Sequence, residues 1–210
     1  MNKKSVDYFD MEMDKKELKF MNSRIRQFFQ EHCEFKVFKE FLKKHNVDLT
    51  HKVILDAGCG SGYSTELILK EFHPEELVAF DIMPEQVALA KKRGLPATLF
   101  IGDIKSTGLP SNKYDATFVF GMLHHVSGWK SALREMHRVL KPSGWLLIEE
   151  PDKRAIDDAE RYLRIHHPKE SRFGWSELTE ELEEVGFSVL ESRTIYLGHF
   201  QSLMCRKETA

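Results

Sequence analysis

An α/β fold with one mostly parallel sheet, helices on both faces and an antiparallel last strand follows from three features of the sequence. First, Val53-Ile54-Leu55 is a short apolar, β-branched run that enters the glycine-rich turn Gly58-Cys59-Gly60-Ser61-Gly62. Second, short apolar runs then alternate with stretches of helical period across short links, the pattern of β-α-β units. Third, the C-terminal runs Phe187–Leu197 and Phe200–Cys205 are joined by Leu197-Gly198-His199 alone, so they must pair antiparallel.

Taken in order, residues 1 to about 22 are polar, with lysines and acids interleaved, and read as an arm or a loosely docked helix with a solvated face. From Ser23, Ile25, Phe28, Phe29, Phe35, Phe38, Phe41 and Leu42 recur at helical spacing. The expectation is a pair of amphipathic helices with one aromatic stripe on the core, Phe28 or Phe29 being placed to cap a ligand pocket. After the central strand comes a helix over Tyr63–Phe72, ended by His73-Pro74. Leu77–Phe80 is a second strand with Asp81 at its end. Pro84 suits the first turn of a helix that stops at Gly94. Ala97–Ile101 and Ala116–Phe120 are further strands, followed by Gly102-Asp103 and by Gly121-Met122-Leu123-His124-His125. A helix over Lys130–Leu140, a turn at Pro142-Ser143-Gly144 and a strand over Trp145–Glu149 come next.

Residues 151–174 do not fit a plain strand-to-helix link. Ala155, Ile156, Ala159, Leu163 and Ile165 suggest a helix that His166-His167-Pro168 breaks, an insertion placed to cover a pocket or to pack as an extra helix. Ser176–Val185 is the last helix. The expected organisation is an N-terminal segment, residues 1–50, on the substrate side, and a domain over residues 51–210 that carries this insertion.

Composition narrows the function classes. The 210 residues carry a net charge of −2, without the basic excess of a nucleic-acid binder. No apolar run reaches membrane-spanning length and the N-terminus lacks the apolar core of a signal peptide. Three scattered cysteines, Cys33, Cys59 and Cys205, with no CxxC, fit a reducing cytoplasm and no thiolate metal site. The adjacent pairs His124-His125 and His166-His167 lack the i, i+4 spacing of a helical zinc motif, so no metal is expected.

Ligands of open α/β sheets bind at the C-terminal ends of the strands. There the chain places Gly58–Gly62, Asp81, Asp103 and Gly121–His125, small, acidic or polar residues after apolar strands. A nicotinamide fingerprint needs glycine at 58, 60 and 63, but position 63 is Tyr and the third glycine is Gly62. Asp81 still suits a ribose diol. The site is therefore built for a nucleoside and not for a pyrophosphate.

Leu55-Asp56-Ala57-Gly58-Cys59-Gly60-Ser61-Gly62, Asp81, Gly102-Asp103 and Leu140-Lys141-Pro142-Ser143-Gly144 resemble the class I S-adenosylmethionine (SAM)-dependent methyltransferases over about residues 50–150. The nearest resemblance is to the small-molecule branch that includes ubiquinone/menaquinone C-methyltransferases. It implies a Rossmann-like sheet, SAM as cofactor and S-adenosylhomocysteine as its product. It also implies roles: Gly58 and Gly60 along the methionine part, Gly62 and Tyr63 as further cofactor-binding residues, Asp56 ordering the loop, and Asp81 on the ribose. Ile82 and Met83 would pack on the adenine, Asp103 and Ile104 would meet its polar edge, and the backbone at Phe120 and Gly121 would meet the amino group. His124 or His125 is the candidate base for an acceptor that must lose a proton, or holds that acceptor. The acceptor is expected to be a small molecule, apolar to suit the many Phe and Met near the N-terminus, and not a nucleic acid. The alternative is a non-catalytic SAM-binding or scaffold protein on the same fold.

Overall fold

The computed structural model describes Leu18 and residues 20–163 and 169–209. Most of the expected N-terminal arm, the expected helix residue Ile165 and the expected break at His166-His167-Pro168 lie outside the described residues.

Seven strands form one sheet, β1 (Val53–Ala57), β2 (Glu76–Asp81), β3 (Thr98–Ile101), β4 (Tyr114–Phe120), β5 (Leu140–Pro151), β6 (Phe187–Ile195) and β7 (Phe200–Lys207). Their spatial order is β3-β2-β1-β4-β5-β7-β6. The first five are mutually parallel, and β7 runs antiparallel between β5 and β6. Strand order reverses between β1 and β4, so a crevice opens beyond their carboxyl ends.

Alternate strand residues serve opposite faces. On one face Ile54, Phe118, Phe120 and Leu147 pack with α2 (Lys36–Lys44) and α3 (Tyr63–Phe72) through Phe38, Phe41, Ile68 and Phe72. On the other, Leu55, Val119, Leu146 and Ile148 pack with α5 (Trp129–Val139) and α7 (Trp175–Val185) through Leu133, Met136, Leu178 and Leu182. Helix α4 (Pro84–Lys92) buries Val87 and Ala90 beside β2 and β3. Among the described residues no helix is long and apolar enough to cross a membrane.

Two expectations need correction. The aromatic stripe before β1 is not one core face. Phe35, Phe38, Phe41 and Leu42 are buried, but Ile25, Phe28 and Phe29 are 64%, 56% and 40% exposed. Helix α1 (Arg24–Phe29) runs into a π-helical turn over Gln30–Phe35 before α2. A wider turn adds a residue and rotates what precedes it off the 3.6-residue register. The turn expected at Pro142-Ser143-Gly144 lies instead within β5, as a bulge. Tyr114 pairs with Leu140 and Ala116 with Trp145, with Ser143 at φ 62°.

The insertion after β5 forms α6 (Lys153–Asp158), a π-helical turn over Ala159–Leu163 and a 3-10 turn over Lys169–Ser171. Phe173 then returns to the core, its ring 4.4 Å from that of Trp129.

Candidate active site

The glycine turn after β1 is held from beneath and from the side. Beneath it, Asp56 is 1% exposed, and its Oδ2 accepts the hydroxyls of Ser64 and Thr65, each at 2.7 Å. Those residues open α3, so Asp56 ties the strand end to the start of the helix. Burial pushes its pKa up to about 6, against the pull of the two hydroxyls. From the side, Asp81 at the end of β2 accepts the Gly60 amide through Oδ2 and the Met83 amide through Oδ1, both at 2.9 Å. Burial raises the Asp81 carboxyl above its ordinary range, while the amides of Met83, Gly60 and Ile82 pull it back.

The three glycines differ in use. A Cβ on Gly60 would meet nothing within 4 Å, so this backbone faces open space, whereas one on Gly58 would lie 2.5 Å from the Met122 sulfur. Gly62 turns away from the crevice. At φ 82° its missing Cβ would fall 2.9 Å from that of Ala90, so this glycine lets α3 and α4 approach.

Gly58, Gly60, Tyr63, Asp81, Ile82, Met83, Asp103, Ile104, Phe120, Gly121 and His125 line one cavity. Asp56, Gly62 and His124 are not on its wall. Asp103 accepts the Lys105 amide through Oδ1 at 2.8 Å. Met21, Asn22, Arg26 and Gln30 close the cavity from the N-terminal side, and no strand-end rule points to them.

A second cavity adjoins the first and shares Met21, Arg26, Gly121 and His125 with it. Its wall is mainly apolar, with Phe29, Pro151, Ile156 and Phe200 among its lining residues, and His124, Glu34 and Tyr196 supply polar groups. Phe29 thus reaches a pocket as one reading of the aromatic stripe required. Phe28 stacks on His32 instead, their ring centroids 4.3 Å apart.

Two acids missed by the sequence reading organise this region. Glu150, fully buried, takes the amides of Met122 and Leu123 at 2.9 and 2.7 Å, and its Oε2 lies 2.8 Å from His124 Nδ1. Burial pushes its pKa up to about 8, opposed by the amides of Leu123, Met122 and His124. Glu149 is equally buried, and neither of its carboxyl oxygens has a hydrogen-bond partner among the described residues. The sequence carries a signal for them, two acids that end the apolar run Trp145–Ile148. On the cavity side, Arg26 pairs with Glu34 through two parallel contacts of 2.8 and 2.9 Å, and the Tyr196 hydroxyl donates to Glu34 at 2.6 Å. Among the described residues no group of three or more His, Cys, Asp or Glu is placed to hold a metal ion.

The first cavity fits an adenosyl group with an amino-acid tail. It offers an open stretch of backbone at Gly60, a carboxylate at the end of β2, apolar side chains at Ile82 and Met83, and a second acid at Asp103. Comparison with known proteins agrees. Residues 55–148 match the family model described as a methyltransferase domain. A Mycolicibacterium smegmatis protein named as an S-adenosylmethionine-dependent methyltransferase is 27% identical over 146 residues, 69% of this chain and 55% of that protein. Trans-aconitate 2-methyltransferase of Acidovorax sp. (strain JS42) is 33% identical over 99 residues, 47% of this chain and 38% of that protein. The structure of a SAM-dependent methyltransferase from Aquifex aeolicus superposes with a TM-score of 0.71 at 24% identity, covering 93% of this chain and 99% of that one. The chain spans about half, or less, of the length of the curated relatives it matches.

Proposed function

We propose, from the match of residues 55–148 to a methyltransferase-domain model, that this protein is a class I SAM-dependent methyltransferase and transfers the methyl group to a small-molecule acceptor bound in the second cavity. The observation that carries this reading is that the two cavities meet at Gly121 and His125. A donor in one and an acceptor in the other would then meet directly beside these shared residues, as an in-line transfer needs, and catalysis of this kind is mostly orientation in a dry site.

Asp81 would hold the ribose hydroxyls and keep the Gly60 backbone in place for the methionine part. Ile82 and Met83 would pack on the adenine, Asp103 and the Ile104 amide would meet its polar edge, and the Phe120-Gly121 backbone would take the amino group. Asp56 and Gly62 serve these contacts indirectly, through the loop and the α3–α4 packing. When bound, SAM supplies a methyl group already activated on a sulfonium. The chain's task is to position the acceptor and, where the acceptor must lose a proton, to receive it. His124, held by Glu150, and His125, on the shared wall, are the bases we assign. The N-terminal segment, through Met21 and Arg26, and the insertion, through Ala155 and Ile156, would form the acceptor side. Membership of the small-molecule branch near the quinone C-methyltransferases rests on the sequence resemblance.

Calorimetric titration with SAM and S-adenosylhomocysteine tests the first cavity, and release of S-adenosylhomocysteine with a panel of small-molecule acceptors tests the second. Binding followed by turnover supports the reading. Binding without turnover on any acceptor leaves a SAM-binding protein, and no binding rejects both.

A further inference from the structure

We infer that the second cavity selects an uncharged, apolar acceptor over a carboxylate, and that Glu34 sets this preference by neutralising Arg26. This rests on the proposed function for the placing of the acceptor, and it names the acceptor's chemical class.

The charge pattern carries the inference. Among the described lining residues Arg26 is the one arginine or lysine. It is 9% exposed, and its two terminal nitrogens already face the two oxygens of Glu34, itself 1% exposed. A cation so matched offers little to an incoming anion. Behind it, Glu149 adds a buried acid without a hydrogen-bond partner among the described residues. Burial and the neighbouring Glu34 charge keep that carboxyl raised well above its ordinary range. A carboxylate entering this cavity would give up its hydration and find its one arginine already matched by Glu34. An apolar body meets Phe29, Ile156 and Phe200 instead. The relative named for trans-aconitate acts, by that name, on a polycarboxylate, so the inference separates this chain from it in acceptor class.

The test uses the full chain saturated with S-adenosylhomocysteine and two probes of one shape, 2-naphthol and 2-naphthoate, titrated by calorimetry at pH 7. S-adenosylhomocysteine binding is measured first, so failure of the cofactor reading shows there and not in the probes. The expected result is 2-naphthol binding at least about tenfold tighter than 2-naphthoate. Glu34→Gln combined with Glu149→Gln leaves Arg26 without either buried acid, and the ratio should then move at least about tenfold toward 2-naphthoate. Absence of 2-naphthol binding, or native binding of 2-naphthoate as tight as that of 2-naphthol, overturns the inference. So does an unchanged ratio in a folded variant that carries both substitutions. The native comparison decides alone if that variant fails to fold.

Discussion

The Oδ2 atom of Asp81 accepts the Gly60 amide at 2.9 Å, so the acid at the end of β2 and the glycine turn after β1 form one unit. A carboxylate assigned to a ribose therefore also holds the backbone on which the rest of the ligand would lie. Asp81→Ala should lose both functions. Each charge-assisted hydrogen bond lost is worth about 1.5–3 kcal/mol, and 1.4 kcal/mol is a factor of ten. SAM affinity should fall at least about tenfold, and more if the loop relaxes. Asp81→Asn keeps the shape and one acceptor oxygen and should fall between the two. Calorimetry with S-adenosylhomocysteine checks this, and native affinity in Asp81→Ala refutes the ribose assignment.

Gly60 and Gly62 separate ligand contact from packing. Both have positive φ, 52° and 82°, so alanine at either pays about 1 kcal/mol in backbone strain. At Gly62 the added carbon also meets Ala90 at 2.9 Å, and crowding of this kind costs about 1–3 kcal/mol more. Gly62→Ala should lower the melting temperature clearly and leave the affinity of the folded fraction for SAM near native. Gly60→Ala has no protein atom to strike, so it should cost less stability and more affinity. Thermal unfolding paired with calorimetry distinguishes the two, and the reverse pattern would exchange their roles.

The sheet was legible because its strands are apolar runs that stop where the chain turns polar, and Val53-Ile54-Leu55 ending in Asp56 shows why. A buried parallel strand needs apolar residues on both faces, and its end needs polar or small ones. The strand-end residues of the first cavity were legible by the same rule. Three things were not. The π-helical turn over Gln30–Phe35 leaves no periodic mark that separates it from an α-helix, so Phe28 and Phe29 read as core. The Ser143 bulge reads as a turn, because Pro-Ser-Gly is turn chemistry in either setting. The Glu150–His124 contact joins the ends of two strands, and the Arg26–Glu34 pair joins α1 to the π-helical turn that follows it, so both appear only once the local geometry is known.

Asp56 gives a pH-dependent prediction. Its carboxyl stands at about 6 when folded against 3.8 when free, because burial penalises the charge. A raised acid pKa means that the folded state holds its proton to higher pH than the unfolded state. Stability from this group is therefore full below about pH 4, falls as pH rises toward 6, and is level above. The loss across that window is on the order of 3 kcal/mol. Asp56→Asn cannot release a proton, so its stability relative to the native chain should rise between pH 4 and pH 6. Denaturant unfolding at several pH values checks this, and a constant difference across the window contradicts it.

His124 and His125 carry the last prediction. Replacing either assigned base with Ala should lower turnover about tenfold or more, within the usual range for general base catalysis, while SAM affinity stays near native. Glu150 sharpens the test for His124. The Glu150 carboxyl, raised to about 8 by burial, lies 2.8 Å from His124 Nδ1, so the two form one hydrogen-bonded pair. If the pair receives the acceptor's proton, it must first be without it. With any acceptor that turns over, kcat/KM should then rise with pH up to about 8 and level off above, in step with the Glu150 carboxyl. In Glu150→Gln no carboxyl remains to titrate there, and the rising limb near 8 should be lost. A merely structural Glu150 would lower activity without moving that limb. Native turnover in both histidine variants would remove proton transfer by these residues from the mechanism and leave them as walls of the acceptor cavity.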